Sequence, residues 1–122
     1  MSEQDMMENL KKIASVCGFT ISGWTDVNGV LQSDIGENDS VVLWNPYLDL
    51  HDAIELSIRL SIYLFPDTET NSISSSFSFD RKDGFKEVMT LTTEYYPNKI
   101  QTMRDLICES ALLMYQEPLE SE

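Results

Sequence analysis

The side chains best suited to chemistry are grouped around the single histidine. His51 lies between Asp49 and Asp52, and an imidazole beside carboxylates can bind a divalent metal or act as a base. The same residues open a predicted helix, where an aspartate has the task of capping backbone N–H groups. We therefore expect Asp49 to cap the helix and Asp52 to lie in its first turn, where carboxylates are favoured, and we predict no metal or other cofactor.

A second group of acids lies in the polar segment 33–40, which reads SDIGENDS. Asp34, Glu37 and Asp39 offer carboxylates of the kind that bind calcium. However, the calcium-loop pattern with its terminal glutamate is missing. The segment is therefore predicted to be a solvated acidic loop.

Motifs for covalent catalysis or phosphate binding do not occur. The chain contains no G-x-S-x-G nucleophile elbow, and neither glycine-rich phosphate-binding pattern is found. The alternate serines of segment 72–78 have no partner base, so they are interpreted as the solvated face of a strand. No apolar run approaches the roughly 18 residues that a membrane-spanning helix needs. The sequence thus predicts a protein that is neither an enzyme nor a membrane protein.

Charge is the strongest compositional feature. The chain has 21 acidic residues against 8 lysines and arginines, which gives a net charge of −13. Such a surface repels nucleic acid and membranes and favours basic partners. Two interpretations stay open: the charge serves solubility, or it forms a phosphate-like surface that competes for a nucleic-acid-binding groove.

The length of 122 residues predicts one domain, 1–122, with residues 116–122 as a frayed acidic tail. Cys17 and Cys108 each lie on an apolar helical stripe. They are expected to be free thiols in a reducing cytoplasm.

Periodicity predicts an α+β domain built on a mainly antiparallel sheet, with the order α-β-β-β-α-β-β-α. The predicted helices cover residues 4–16, 52–64 and the segment that begins at Pro97. Asn28-Gly29 indicates a hairpin turn, a short buried strand follows at 41–44, and a longer hairpin occupies 72–96. This order is also compatible with an α/β/α sandwich.

The middle segment carries two conflicting patterns. Every even position from Ile54 to Leu64 is isoleucine or leucine, which is the alternation of a half-buried strand. On a helical wheel the same residues form two apolar ridges and a narrow polar stripe that pairs Glu55 with Arg59. A strand of this length would be unusually long. We therefore predict a helix to Leu64 that is buried on most of its circumference.

The aromatic side chains are not interleaved with basic ones, which disfavours a surface for stacking nucleic-acid bases. Trp44 is expected in the core. Trp24 and Tyr47 are expected at the surface, where aromatic side chains often anchor a protein partner.

Segment 44–60, WNPYLDLHDAIELSIRL, resembles small phage and prophage proteins described as a phage α/β/α-sandwich domain of unknown function. The shared pattern is Trp-Asn-Pro, an acidic helix start and a helix of the form D-A-φ-x-L-x-φ-x-L, where φ is aliphatic. The matching positions are Trp44, Asn45, Pro46, Asp49, Asp52, Ala53, Ile54, Leu56, Ile58 and Leu60. The first and last helices, with Pro97 and Arg104, extend the resemblance over nearly the whole chain.

The resemblance implies a phage-derived protein that acts in the host bacterial cytoplasm, and it implies no catalytic activity. The chain departs from the family where Leu50 and His51 interrupt the usual acidic run before the helix. A role of that acidic turn in the family is therefore not carried over to this chain.

Two functions follow as hypotheses. In the first, the protein binds and inhibits a basic host protein, such as a CRISPR–Cas complex or another nucleic-acid-handling defence complex, in the manner of an anti-CRISPR or DNA mimic. In the alternative, it is a structural or regulatory phage protein that forms a homodimer through a sheet edge or through its aromatics. The predicted partner-binding residues are Asp34, Glu37, Asp39, Asp49, Asp52, Trp24 and Tyr47.

Overall fold

The fold combines three helices with two small antiparallel sheets. A computed structural model describes residues 3–18, 21–24, 31–33, 42–80, 83–95 and 98–115. The elements are α1 (Glu3–Cys17), β1 (Ile21–Trp24), β2 (Leu31–Ser33), β3 (Val42–Trp44), α2 (Leu50–Leu60), β4 (Tyr63–Asp67), β5 (Ser72–Asp80), β6 (Lys86–Glu94) and α3 (Lys99–Met114). The predicted α+β class and the order of the predicted elements are confirmed, and β4 is an additional strand.

Helix α1 buries one apolar stripe, as its spacing predicts. Leu10, Ile13 and Ala14 have 1% or less of their surface exposed. The helix ends at Gly18, whose φ of 79° lies in the left-handed region that glycine adopts without steric cost.

The first sheet has the strand order β1-β2-β3. Trp24 pairs with Leu31 in antiparallel fashion, which confirms the predicted hairpin. Leu31 also pairs with Trp44, a partner that the sequence did not assign. The turn predicted at Asn28-Gly29 lies outside the described residues. Trp44 is only 3% exposed, in agreement with its predicted place in the core.

Helix α2 is shorter and less enclosed than predicted. It ends at Leu60, and Ser61 follows in the left-handed conformation with φ 54°. The chain then enters β4, so the prediction of a helix to Leu64 is wrong over its last turn. The prediction of burial on most of the circumference is also wrong, because Ile54 and Ile58 are 42% and 73% exposed.

The second sheet has the order β4-β5-β6, and the predicted hairpin of β5 and β6 is confirmed. Ile73, Ser75 and Phe77 on β5 face the core and are at most 3% exposed. The buried hydroxyl of Ser75 is satisfied by that of Ser110 on α3, at 2.7 Å. The other face of β5 carries the alternate serines, and their predicted exposure is confirmed only in part: Ser78 is exposed, Ser74 and Ser76 are partly exposed, and Ser72 is buried.

Helix α3 is the element that the others surround. It packs against α1, α2 and β5, and Ile107, Cys108 and Ala111 are fully buried. It begins at Lys99, two residues after Pro97, because Asn98 caps it by accepting a hydrogen bond from the Gln101 N–H at 3.0 Å. The sequence predicted that α2 would be enclosed on most sides. In the structure, α3 is the helix that its neighbours enclose.

Candidate functional site

Hydrogen bonds of Asn45, Asp49 and Asp52 hold the turn between β3 and α2. The Asn45 side chain is 1% exposed, and its Oδ1 accepts a hydrogen bond from the Tyr47 N–H at 3.0 Å. Its backbone N–H donates to Asp52 Oδ2 at 2.9 Å. Asp49 Oδ1 in turn accepts from the Asp52 N–H at 2.9 Å. The predicted capping role of Asp49 is therefore confirmed. Asp52 lies in the first turn, as predicted, but its carboxylate bonds back to Asn45 across the turn, and this bonding fixes the direction in which α2 leaves the turn.

Residues of α1 and α3 also form hydrogen bonds with this turn. On the α1 side, Asn9 Nδ2 donates to the Tyr47 hydroxyl at 3.3 Å. On the α3 side, the Arg104 guanidinium donates to the Leu48 carbonyl and to Gln101 Oε1, the latter at 2.7 Å. The turn is thus a rigid junction of the three helices, and charges mounted on it have defined positions.

Acids at the start of α2 and on α3 lie near this junction, because Arg104, which contacts the Leu48 carbonyl, directly precedes Asp105 on α3. Burial is the main cause that raises the pKa of Tyr47 well above its ordinary value, and the nearby charges of Glu109 and Asp105 raise it further. The charges of Asp49 and Glu55 likewise raise the pKa of Asp52. We call this group the acidic end; its members are Asp49, Asp52, Glu55, Asp105 and Glu109.

Within the acidic end, Asp52 is the most constrained carboxylate. Burial raises the pKa of Asp52 above its ordinary value of 3.8, and the hydrogen bond from the Asn45 N–H opposes that shift. Asp49, Glu55 and Glu109 are exposed to solvent. The exposed members can therefore meet a partner, whereas Asp52 mainly holds the turn.

The remaining surface is also acidic. Every acidic side chain with a described environment is exposed or partly exposed. The exposed ones are Asp5, Glu8, Asp49, Glu55, Asp67, Glu69, Asp80, Asp83, Glu87, Glu94 and Glu109. Some of the basic groups contact aromatic rings: Lys12 Nζ lies 5.6 Å from the ring centre of Tyr115, and Lys99 Nζ lies 5.3 Å from that of Tyr95.

His51 also lies at the acidic end. One ligand atom from each of Asp49, His51 and Asp52 lies within 4.8 Å of the others. Asp49 already accepts the Asp52 N–H as the N-cap of α2, and Asp52 already accepts the Asn45 N–H across the preceding turn. The helix cap and the bonding of the turn therefore bring these side chains together.

The predicted partner-binding residues have different outcomes. Asp49 and Asp52 lie together at the start of α2. Tyr47 is only 4% exposed, so its predicted place at the surface is wrong: its ring packs in the core between the helices while its hydroxyl reaches Asn9. Asp34, Glu37 and Asp39 lie outside the described residues, and for Trp24 only the backbone in β1 is described.

Asp105 and Glu109 were missed by the sequence-based prediction. Their spacing of four residues places them on one face of a helix, and this was the signal that could have identified them. What the sequence does not contain is the packing of α3 beside the 45–49 turn, which brings that face next to the start of α2.

A groove of about 520 Å³ lies away from this junction, between the C-terminal ends of the three helices and the end of β5. Its lining includes opposite charges, Arg59 and Asp80, and the apolar side chains of Leu60, Phe79 and Met114. Arg59 also lies close enough to Cys17 to affect its pKa. The groove is wide and open, and its chemistry is mixed.

Comparisons with known proteins return no match: no family model, no curated protein and no solved structure is similar to the chain. The resemblance to phage proteins therefore stays a prediction. Among the described residues, no helix is both long and apolar enough to cross a bilayer.

Proposed function

We propose that the protein is a non-enzymatic binding protein whose acidic end occupies a basic, nucleic-acid-binding surface of a host protein. The observation that carries the proposal is that acids at the start of α2 and on α3 lie near a rigid turn. The resemblance to phage proteins supports a bacterial host, with the protein acting in its cytoplasm. A CRISPR–Cas complex or a similar defence complex is the kind of target proposed.

The geometry of the acidic end suits binding by charge. Its exposed carboxylates lie on helices whose positions are fixed by the contacts of Asn45 and Arg104, so little ordering is required when a partner arrives. Fixed negative charges imitate the phosphates that a basic groove normally meets. The overall charge of −13 adds long-range attraction to such a surface and speeds association.

The test is affinity capture from nuclease-treated bacterial lysate, comparing two variants of equal charge. One variant carries Asp49→Asn, Asp105→Asn and Glu109→Gln at the acidic end. The control carries Asp67→Asn, Glu69→Gln and Asp83→Asn on turns elsewhere. Wild type and control should capture the same nucleic-acid-binding protein at low salt and release it at high salt.

The acidic-end variant should capture that protein at least about tenfold less well, since removing charges at an interface weakens steering and pairing. Equal losses in the two variants would mean that only total charge matters. Equal retention in both, or no basic partner captured at all, would contradict the proposal.

A further inference from the structure

Strand β6 presents a long edge to solvent. It lies at one side of the second sheet and runs over nine residues, Lys86–Glu94. No described strand pairs with its outer side. The opposite edge, β4, has five residues and contains Pro66, which interrupts an edge for further pairing. The two edges therefore differ in their ability to accept another strand.

The register shows which backbone groups of β6 are open. The Tyr95 N–H donates to the Asn71 carbonyl at 3.0 Å, and the pairing of β5 with β6 continues from there without a bulge. Bonded and non-bonded pairs alternate in an antiparallel ladder. Odd-numbered residues of β6 therefore bond to β5, and the N–H and C=O groups of the even-numbered residues point away from the sheet. Of these, the Glu94 carbonyl also accepts a hydrogen bond from the Thr93 hydroxyl at 3.2 Å.

We propose that two copies of the chain pair through β6, antiparallel about a two-fold axis at Thr90, and form one continuous sheet. In the register that overlaps the whole strand, Thr90 faces Thr90 of the second copy. Val88 then faces Thr92, and Lys86 faces Glu94. Each of these positions is even-numbered, so the open groups of one strand meet the open groups of the other.

Charge complementarity selects this register. Lys86 and Glu94 are both exposed, they lie at opposite ends of the strand, and the two-fold axis brings each onto the other. Opposite charges and threonine pairs are favourable directly across an antiparallel ladder. On the inner face, Met89 meets Leu91 of the second copy, and both already pack partly buried against the core. The strand is thus self-complementary on both faces.

The pairing does not depend on the proposed function, because the acidic end is carried by α2 and α3. A dimer through β6 presents two acidic ends. Loss of partner capture in the acidic-end variant and loss of the dimer in a β6 variant are therefore separate results.

Sedimentation equilibrium on the full chain tests the interface. The wild type should have twice the mass of 13.9 kDa. Lys86→Glu and Glu94→Lys should each weaken the dimer at least about tenfold, because each places like charges opposite one another. The double variant Lys86→Glu/Glu94→Lys should restore the wild-type dissociation constant.

The single variant Glu94→Lys distinguishes the proposed strand pairing from general charge repulsion. Glu94→Lys changes the net charge from −13 to −11 (−13 plus 2). The reduced overall repulsion alone would strengthen association, whereas the proposed register predicts weaker association.

Hydrogen exchange adds a residue-level measurement. Amides of Val88, Thr90 and Thr92 should be protected in the wild type and exchange quickly in Glu94→Lys, while those of Met89 and Leu91 stay protected in both. A monomeric wild type, or a dimer that neither reversal weakens, would overturn the proposal.

Discussion

At the scale of single residues, Asp52 connects the stability of the turn to its charge. Its carboxylate accepts the N–H of the buried Asn45 at 2.9 Å, yet burial disfavours its ionised form. Asp52→Ala should therefore lower the free energy of unfolding by about 1–3 kcal/mol, since it leaves a buried donor without a partner. Asp52→Asn keeps an acceptor in the same place and should stay close to wild type in urea unfolding at about pH 4, the ordinary pKa of an aspartate.

The stability difference between wild type and Asp52→Asn should depend on pH with a definite sign. Because the pKa of Asp52 is raised in the folded state, its contribution is fully present below its ordinary pKa and is lost as the pH rises through the raised value. From about pH 4 to 7, Asp52→Asn should therefore gain stability relative to wild type. A gain for the wild type over this range would show that the ionised carboxylate is the favoured form in the fold.

The two thiols should be chemically quiet in the folded protein. Burial is the main cause that raises the pKa of Cys17 to about 11 and the pKa of Cys108 well above its ordinary range. Since the thiolate is the reactive form, iodoacetamide at neutral pH should label the native chain slowly and the denatured chain quickly. Fast labelling of Cys108 before unfolding would contradict its placement in the core.

At the scale of elements, the end of α2 decides where the second sheet begins. Ser61 adopts φ 54°, a conformation that costs a non-glycine residue of order 1–3 kcal/mol. Its side chain is exposed, and its N–H donates to the Ile58 carbonyl at 3.3 Å. Ser61→Gly should therefore raise the free energy of unfolding by about 1 kcal/mol, whereas the control Ser61→Ala should give no gain in the same denaturant titration.

That helix end also explains how far the sequence predicts the fold. The helical wheel identified a true helix at Leu50–Leu60, but it extended that helix over residues 61–64, and the strand at Tyr63–Asp67 was not predicted. The alternation from Ile54 to Leu64 lies mostly within the helix, so it did not locate the strand. Periodicity shows which residues share a face, but it does not show which face finds a neighbour. Ile54 and Ile58 form an apolar ridge that finds no neighbour among the described residues and stays exposed.

The candidate site was predictable only in part, for a related reason. The capping role of Asp49 is local, so the sequence contains it. The burial of Tyr47 and the nearness of Asp105 and Glu109 depend on contacts between distant segments, such as Asn9 with Tyr47. Single-sequence patterns carry no information on those contacts.

At the scale of the whole molecule, the total negative charge and the acids held at fixed positions have different effects. A net charge of −13 keeps copies apart through general repulsion, so association of the chain requires a specific interface, such as the one proposed at β6. Binding to a partner likewise requires that certain acids matter more than others. The rigid junction of the three helices is what makes the acidic end different from the rest of the acidic surface.

The central claim is that the acidic end occupies a surface that nucleic acid would otherwise fill. The most direct test adds duplex DNA in increasing amounts to the captured partner complex and follows the release of the protein at low salt. We expect DNA and the protein to exclude one another, and the acidic-end variant to be displaced at lower DNA concentration than the control variant. A ternary complex that holds the protein and DNA together would contradict the claim.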